Sequence, residues 1–218
     1  MNELQILGAP QSPVVWAVRM VAVEKGVDAE FISARPHSPE VIAIQPFGKI
    51  PAMRHGGVEL GESRAIALYL DGLSAKNPLV PRDLVAAARA EQWLMHYYTE
   101  YVPVMLARYI VPYFFPSGED GLPDRGVIDA ALPALEKSIA VLDRQLEGRE
   151  FLAGEFTLGD IFFGPILHYA KTLPEGEQLF AASPRLMEYL ARLAARPAFK
   201  ATFPPPLPAL DPPLIVLD

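Results

Sequence analysis

Between Gln45 and Leu70 the chain reads QPFGKIPAMRHGGVELGESRAIALYL, and this stretch leaves few options for what surrounds it. Ile50-Pro51 stands where a loop becomes a strand. Residues 52–54 can pair with residues 58–60 across Gly56-Gly57, a two-glycine hairpin signal. Glu62-Ser63 then precedes an amphipathic run, Ile66, Ala67 and Leu70, at helical spacing. Ser63 is the expected N-cap, its hydroxyl accepting from a free amide of the first turn. A helix start beside a carboxylate suits a zwitterion: the amides and dipole favour a ligand carboxylate, and Glu62 can accept from an ammonium. Pro51 has no N–H to donate. A cis bond there would turn the amide and carbonyl of Ile50 outward, where an extended peptide could pair with them as an added strand. A hairpin and a capped helix that bind nothing have the same spacing, and on spacing alone that is the stronger reading.

The elements before this stretch fit a small α/β domain. Leu4, Ile6 and Leu7 form a short strand ending at Gly8, and Ser12-Pro13 is a strong helix start. That helix should stop at Gly26, with a strand following over residues 29–33. Strand, helix, strand in so few residues implies a right-handed βαβ unit with parallel strands. Ser38-Pro39-Glu40 opens a short helix. The order βαβαββα gives a four-stranded mixed sheet with helices on its faces, the thioredoxin-like arrangement.

Everything later reads as helix. Residues 74–82, with Pro78 and Pro81, form a linker. A long helix from Asp83 should be kinked or interrupted at Pro103, and residues 112–125 read as a loop. Ile128, Leu132, Leu135, Ile139, Leu142 and Leu146 form one apolar stripe, with Pro133 in its first turn and Gly148 after it. Thr157 with Asp160 three positions on is a capping signal, stapled by Phe156 on Ile161. Ser183-Pro184 opens a further helix. The last sixteen residues, FPPPLPALDPPLIVLD, are either an extended end or a strap over a cleft or neighbouring subunit.

Composition closes off several function classes. The chain has 218 residues, is 51% hydrophobic and carries a net charge of −7. That is enough to bury a core, and too acidic for nucleic acid. With no cysteine there is no disulfide, thiolate metal site or protein thiol nucleophile. MNELQILG lacks a basic n-region and a long apolar core, and no apolar run is long enough for a membrane span. The expected location is cytoplasmic. His96 and His168 show no metal-ligand spacing.

PFGKIPAM followed by ELGESRAIALYL resembles the glutathione-binding half of the cytosolic glutathione transferases. GAPQSPVVWAVRMVAVEKG is similar to the first loop and helix of the serine-type, plant phi-like and bacterial members, matching at Gly8, Pro10, Ser12, Val18, Glu24 and Lys25. It departs at Ala17, where many members have arginine. FLAGEFTLGD resembles a segment of the family's all-helical domain, with Gly159 where alanine is usual. The resemblance implies a thioredoxin-like glutathione-binding domain at 1–75, a linker at 76–81, an all-helical electrophile-binding domain at 82–202 and a proline-rich tail at 203–218.

The same resemblance implies roles. Ile50, preceding Pro51, would bind the cysteinyl backbone of glutathione, and Glu62 with Ser63 its γ-glutamyl end. Lys49, which follows the family's basic or amide residue beside the proline motif, would meet the glycyl carboxylate; His37 is a candidate on position alone and more often an ordinary loop histidine, with Arg35 an equal rival. Ser12 would donate to the sulfur, with Gln11 assisting or replacing it. A free thiol has a pKa near 8.5, so lowering it by about two units takes roughly 2.7 kcal/mol of thiolate stabilisation. A hydroxyl donor and first-turn amides at a helix start are of that order. Without the resemblance, Ser12 is a simple N-cap. Tyr97, Tyr98, Tyr101, Met105 and Tyr109, with Phe114 and Phe115 just beyond, offer an aromatic face for an apolar electrophile, although aromatics at this spacing are more often core. Phe47 sits where related classes insert an aromatic into a partner subunit, so a homodimer is expected. Glutathione is the expected co-substrate, with no metal. The rival readings are ether cleavage, dehalogenation or isomerisation at the same site, and a non-catalytic transferase-like binding module.

Overall fold

Strand β1 (Leu4–Gly8) is an inner strand of a four-stranded sheet with the order β2-β1-β3-β4. The computed structural model describes residues 3–206. β2 (Glu30–Ser33) runs parallel to β1, and β3 (Ala52–His55) and β4 (Val58–Gly61) form an antiparallel hairpin on its other side. Between them the chain makes α1 (Pro13–Lys25) and α2 (Pro39–Ile42), and it leaves the hairpin in α3 (Ser63–Gly72). The expected order βαβαββα is the observed one.

Strand alternation assigns the two faces of the sheet. Leu7 and Ala52 join Ala34 and Val41 in one apolar cluster, with Ile32, Ile44 and Ile50 packed against it. Ile6 and Met53 point the other way and are fully buried. α1 sits directly on the end of β1. A Cβ added at Gly8 would come within 2.5 Å of a Val15 methyl, so any side chain there would push the helix away.

Residues Ala195–Pro205 belong to this first unit, which otherwise runs to Arg82, and not to the helical domain that the sequence reading extended to 202. α10 (Pro197–Ala201) packs on α1. The fully buried Trp16 donates its Nε1–H to the Thr202 hydroxyl at 3.0 Å. Its ring lies 4.6 Å from Phe199 and 5.1 Å from Phe203. Arg196 forks onto the Glu24 carboxylate at 2.7 and 2.8 Å, a bidentate geometry that fixes orientation as well as contact. The segment read as a linker is pinned too. The buried Lys25 pairs with Asp71 at 2.7 Å and donates to the carbonyls of Lys76 and Asn77. Asp71 also accepts the Leu79 N–H at 2.9 Å.

The second unit, from Asp83 to Ala194, is helical. α4 (Leu84–His96) is capped by Asp83, which accepts from the amides of Val85 and Ala86. α4 runs on into a π-helix over Tyr97–Ile110 and then α5 (Val111–Phe114). Pro103 therefore lies inside a widened helix and does not interrupt it, and the start of the expected 112–125 loop is helical. α6 (Arg125–Gln145) begins at the Asp124 cap and passes through Pro133 unbroken. Its stripe is buried at Ile128, Leu135, Ile139 and Leu142, with Leu146 just beyond and Leu132 only half-buried. α7 (Leu158–Thr172), α8 (Gly176–Ala181) and α9 (Pro184–Ala195) complete the unit. The buried Asp160 carboxylate takes four hydrogen bonds, from the Thr157 N–H and hydroxyl, the Leu152 N–H and the Tyr189 hydroxyl. The expected capping signal is present there. For residues 207–218 of the tail, the strap expectation lies outside the described residues.

Candidate functional site

The strand registers bring four chain segments to one end of the sheet. β1 ends at Gly8, which lies beside Ser33 at the end of the parallel β2. Leu7 faces Ala52 at the start of β3, and Ala52 faces Gly61 at the end of β4. The loop carrying Gln11 and Ser12, the residues after β2 with Arg35 and His37, the approach Lys49-Ile50-Pro51, and Glu62-Ser63 therefore all issue from the same end.

Ser12 occupies the N-cap position of α1, and its carbonyl accepts the Trp16 N–H at 2.9 Å. Its side chain makes no cap hydrogen bond. The simple-cap reading thus fails at its hydroxyl, which is half-buried and beside the first turn of the helix. Gln11 is placed differently: its amide nitrogen donates to the carbonyl of Pro205 at 3.2 Å.

Ile50-Pro51 is a cis peptide. The Ile50 side chain packs against the apolar cluster under α2. Among the described residues, no hydrogen bond engages its N–H or carbonyl. A backbone donor and acceptor are thus held in place by an anchored side chain and left unpaired, as strand addition requires.

Glu62 and Ser63 differ from the expectation by one position. Glu62 is the cap residue of α3, at φ 64° and ψ 113°, and Ser63 is the first helical residue. A glutamate at positive φ is a strained backbone conformation of the kind that clusters at functional sites. Glu62 is exposed and Ser63 buried. His37 and Lys49 are both exposed, as is Arg35. The His37 N–H donates to the Gly48 carbonyl at 2.8 Å, which ties the loop after β2 to the loop before β3.

Sequence reasoning missed Gln45, although it opens the motif. It is 3% exposed, and its amide links Lys49 to Glu62. Its burial was the absent signal, since a glutamine ahead of Pro-Phe-Gly reads as an ordinary loop residue.

The aromatic face expected for the electrophile is a core. Tyr97, Met105 and Tyr109 are fully buried and Tyr101 nearly so. Their spacing of four keeps them on one inward side of the π-helix. Tyr97 and Tyr101 pack edge-on against Phe163, at 5.5 and 4.8 Å. The Tyr101 hydroxyl donates to the Ser138 carbonyl and that of Tyr109 to Glu175. Burial raises both phenols well above their usual range, with Glu100 and Glu175 adding to the effect, so neither ionises near neutrality. Phe114 is half-buried against Tyr169, and Phe115 is exposed. Among the described residues no group of three or more His, Asp or Glu could hold a metal ion.

Family profiles described as "Glutathione S-transferase, N-terminal domain" and "Glutathione S-transferase, C-terminal domain" match residues 6–78 and 125–192. Glutathione S-transferase 3 of Zea mays is 32% identical over 94% of this chain and 98% of its own length. The chain belongs to the glutathione S-transferase family. Among solved structures of the family, glutathione transferase F7 from Populus trichocarpa superposes with a TM-score of 0.81 at 25% identity, over 91% of this chain and 97% of that one. A glutathione S-transferase from Methylobacillus flagellatus KT with glutathione bound gives a TM-score of 0.79 at 28% identity, over 93% of this chain and 100% of that one. The plant phi-type transferases are thus its relatives, and the thioredoxin-like sheet and helical unit are the transferase fold. It is an enzyme of this family, with glutathione as co-substrate.

Proposed function

We propose that this transferase binds glutathione along the free backbone of Ile50 and activates its thiol with the hydroxyl of Ser12, for attack on an apolar electrophile. The unspent Ser12 side chain at the start of α1 carries this reading. The cysteinyl N–H and carbonyl of glutathione pair with the carbonyl and N–H of Ile50. The γ-glutamyl ammonium meets the Glu62 carboxylate, and its carboxylate meets Ser63 and the first-turn amides of α3. Lys49 or His37, with Arg35 alongside, takes the glycyl carboxylate.

In the reaction the thiol gives its proton to solvent. The thiolate accepts a hydrogen bond from Ser12 and is stabilised by the field of the first turn of α1; its lone pair then forms the new carbon–sulfur bond as the leaving group departs with its bonding pair or, on an unsaturated acceptor, as the π pair shifts to the far atom and is protonated by solvent. Lowering the thiol pKa by about two units corresponds to roughly 2.7 kcal/mol, within reach of one charge-assisted hydrogen bond plus a helix terminus. Gln11 is engaged by Pro205, which favours Ser12 as the donor. The electrophile is met by the helical unit. With Tyr97, Tyr101, Met105 and Tyr109 in the core, the side chains we assign to it are Phe114, half-buried, and its exposed neighbour Phe115.

The protein works as a cytoplasmic homodimer in this reading, with Phe47, 73% exposed, entering the partner. Ser12→Ala should raise the apparent thiol pKa of bound glutathione by about one unit, the share of its hydrogen bond, with the first-turn amides of α1 keeping the rest, followed as thiolate absorbance against pH. Turnover should fall while glutathione affinity stays nearly unchanged. Unchanged turnover would transfer the donor role to Gln11. A panel of aryl halides, aryl ethers and unsaturated acids separates conjugation from ether cleavage, dehalogenation and isomerisation. Failure to bind immobilised glutathione would leave the non-catalytic module.

A further inference from the structure

Gln45 lies at the start of the loop leading to Ile50, below the surface, and every polar atom of its amide is placed. Its backbone N–H donates to Val41 at 2.8 Å, and its carbonyl accepts the Gly48 N–H at 2.9 Å, closing the Pro46-Phe47 turn. Its side-chain oxygen accepts the Lys49 N–H at 3.1 Å. Its side-chain nitrogen donates to Glu62 Oε1 at 3.2 Å. The stem lies flat against β4: a Cβ added at Gly61 would stand 2.3 Å from Gln45 Cγ.

We infer that Gln45 is a positioning residue for recognition of the γ-glutamyl ammonium, aiming the Glu62 carboxylate from beneath while holding the Lys49-Ile50 backbone. This rests on the glutathione reading of Glu62 and Ile50 given above. Glu62 is exposed and sits on a strained backbone, so its long side chain would otherwise sample many rotamers. A buried donor on Oε1 fixes the carboxylate and leaves Oε2 for a cation. The amide does both jobs at this place, giving Glu62 a donor and the Lys49 N–H an acceptor from one side chain. Glutamate would keep the acceptor and set two carboxylates against each other; leucine would keep neither bond.

The test compares wild type, Gln45→Leu and Gln45→Glu by calorimetric titration with S-hexylglutathione and with its N-acetylated counterpart, in which the ammonium is blocked. For Gln45→Leu, affinity for S-hexylglutathione should fall about tenfold, and for the acetylated ligand by less than about threefold. The KM for glutathione should rise with kcat nearly unchanged. Gln45→Glu is close in shape and keeps the Lys49 bond, so it serves even if the leucine variant does not fold. Like charges raise carboxylate pKa values. Affinity of this variant for S-hexylglutathione should therefore depend on pH more steeply than that of wild type, being higher where one of the two carboxyls is protonated. Equal losses on both ligands, or no new pH dependence in Gln45→Glu, would overturn the role of Gln45 while leaving the glutathione site standing. Wild type that binds neither ligand would overturn both readings.

Discussion

His168 shows how the burial of one side chain bears on the protein's stability in acid. It is half-buried in α7, and burial, reinforced by Lys171 one turn on, lowers its pKa to about 4. Unfolded, it titrates near 6.5. Between those values the unfolded chain binds a proton that the folded chain refuses, so stability must fall as pH drops from about 6.5 to 4. The full step is about 3 kcal/mol at most. His168→Gln should remove this slope, measured as urea midpoints across that pH range, with little change at pH 8. Residues of this kind are hard to read from sequence, because burial decides them and spacing does not report it. The two serines make the same point. Ser12 and Ser63 were both legible as helix-start residues, and both do stand at helix starts. Neither is the simple side-chain cap that spacing suggested: Ser12 makes no cap bond, and Ser63 lies one residue inside the helix. Asp83, read only as the place where a helix begins, and Asp124, read as part of a loop, do cap with their side chains. Position in a helix is a local property, whereas the use of a rotatable polar group is settled by what packs around it.

At the level of elements, the start of α7 carries the clearest opportunity. Asp160 binds four donors, which ties α7 to the preceding loop and to Tyr189 on α9. Gly159 sits within this ordered turn. A Cβ there would meet Leu94, Thr157 and Trp93 atoms at 3.6 Å, ordinary contact distance. Gly159→Ala should therefore stabilise the protein by about 0.5–1 kcal/mol, through helix propensity and a less flexible unfolded chain. A higher thermal midpoint with unchanged activity would bear this out, and a lower one would show that the turn does not admit the methyl. The elements were the best-read level of this molecule. β1, α1 and the hairpin followed from proline, glycine and apolar periodicity alone, because each is fixed by its own residues. The π-helix did not, since hydrogen-bond register through Pro103 leaves no mark on apolar spacing. The aromatic face of that helix was correctly placed at four-residue intervals, but which way a face points is a tertiary fact.

For the whole molecule, association and chain closure are the open quantities. Phe47 projects from the Pro46-Phe47 turn with 73% of its surface exposed, an unusual position for a large aromatic. If it anchors a partner, Phe47→Ala should weaken the dimer by about 2 kcal/mol, roughly thirtyfold. Sedimentation equilibrium checks this, and a monomeric wild type would end the homodimer reading. The two-unit division was legible in the sequence from the proline-bearing segment before Asp83, but the return of the chain was not. Contacts such as Arg196 with Glu24 link residues too far apart for any pattern to show.

That return has a temporal consequence. The unit that carries Ser12 is discontinuous, since Trp16 is roofed by Phe199, Thr202 and Phe203. A ribosome making this protein translates residues 83–194 of the helical unit before the last piece of the first one exists. Throughout that interval the nascent sheet carries on α1 an indole whose C-terminal cover has not been made, so the unit begun first is the last to be completed.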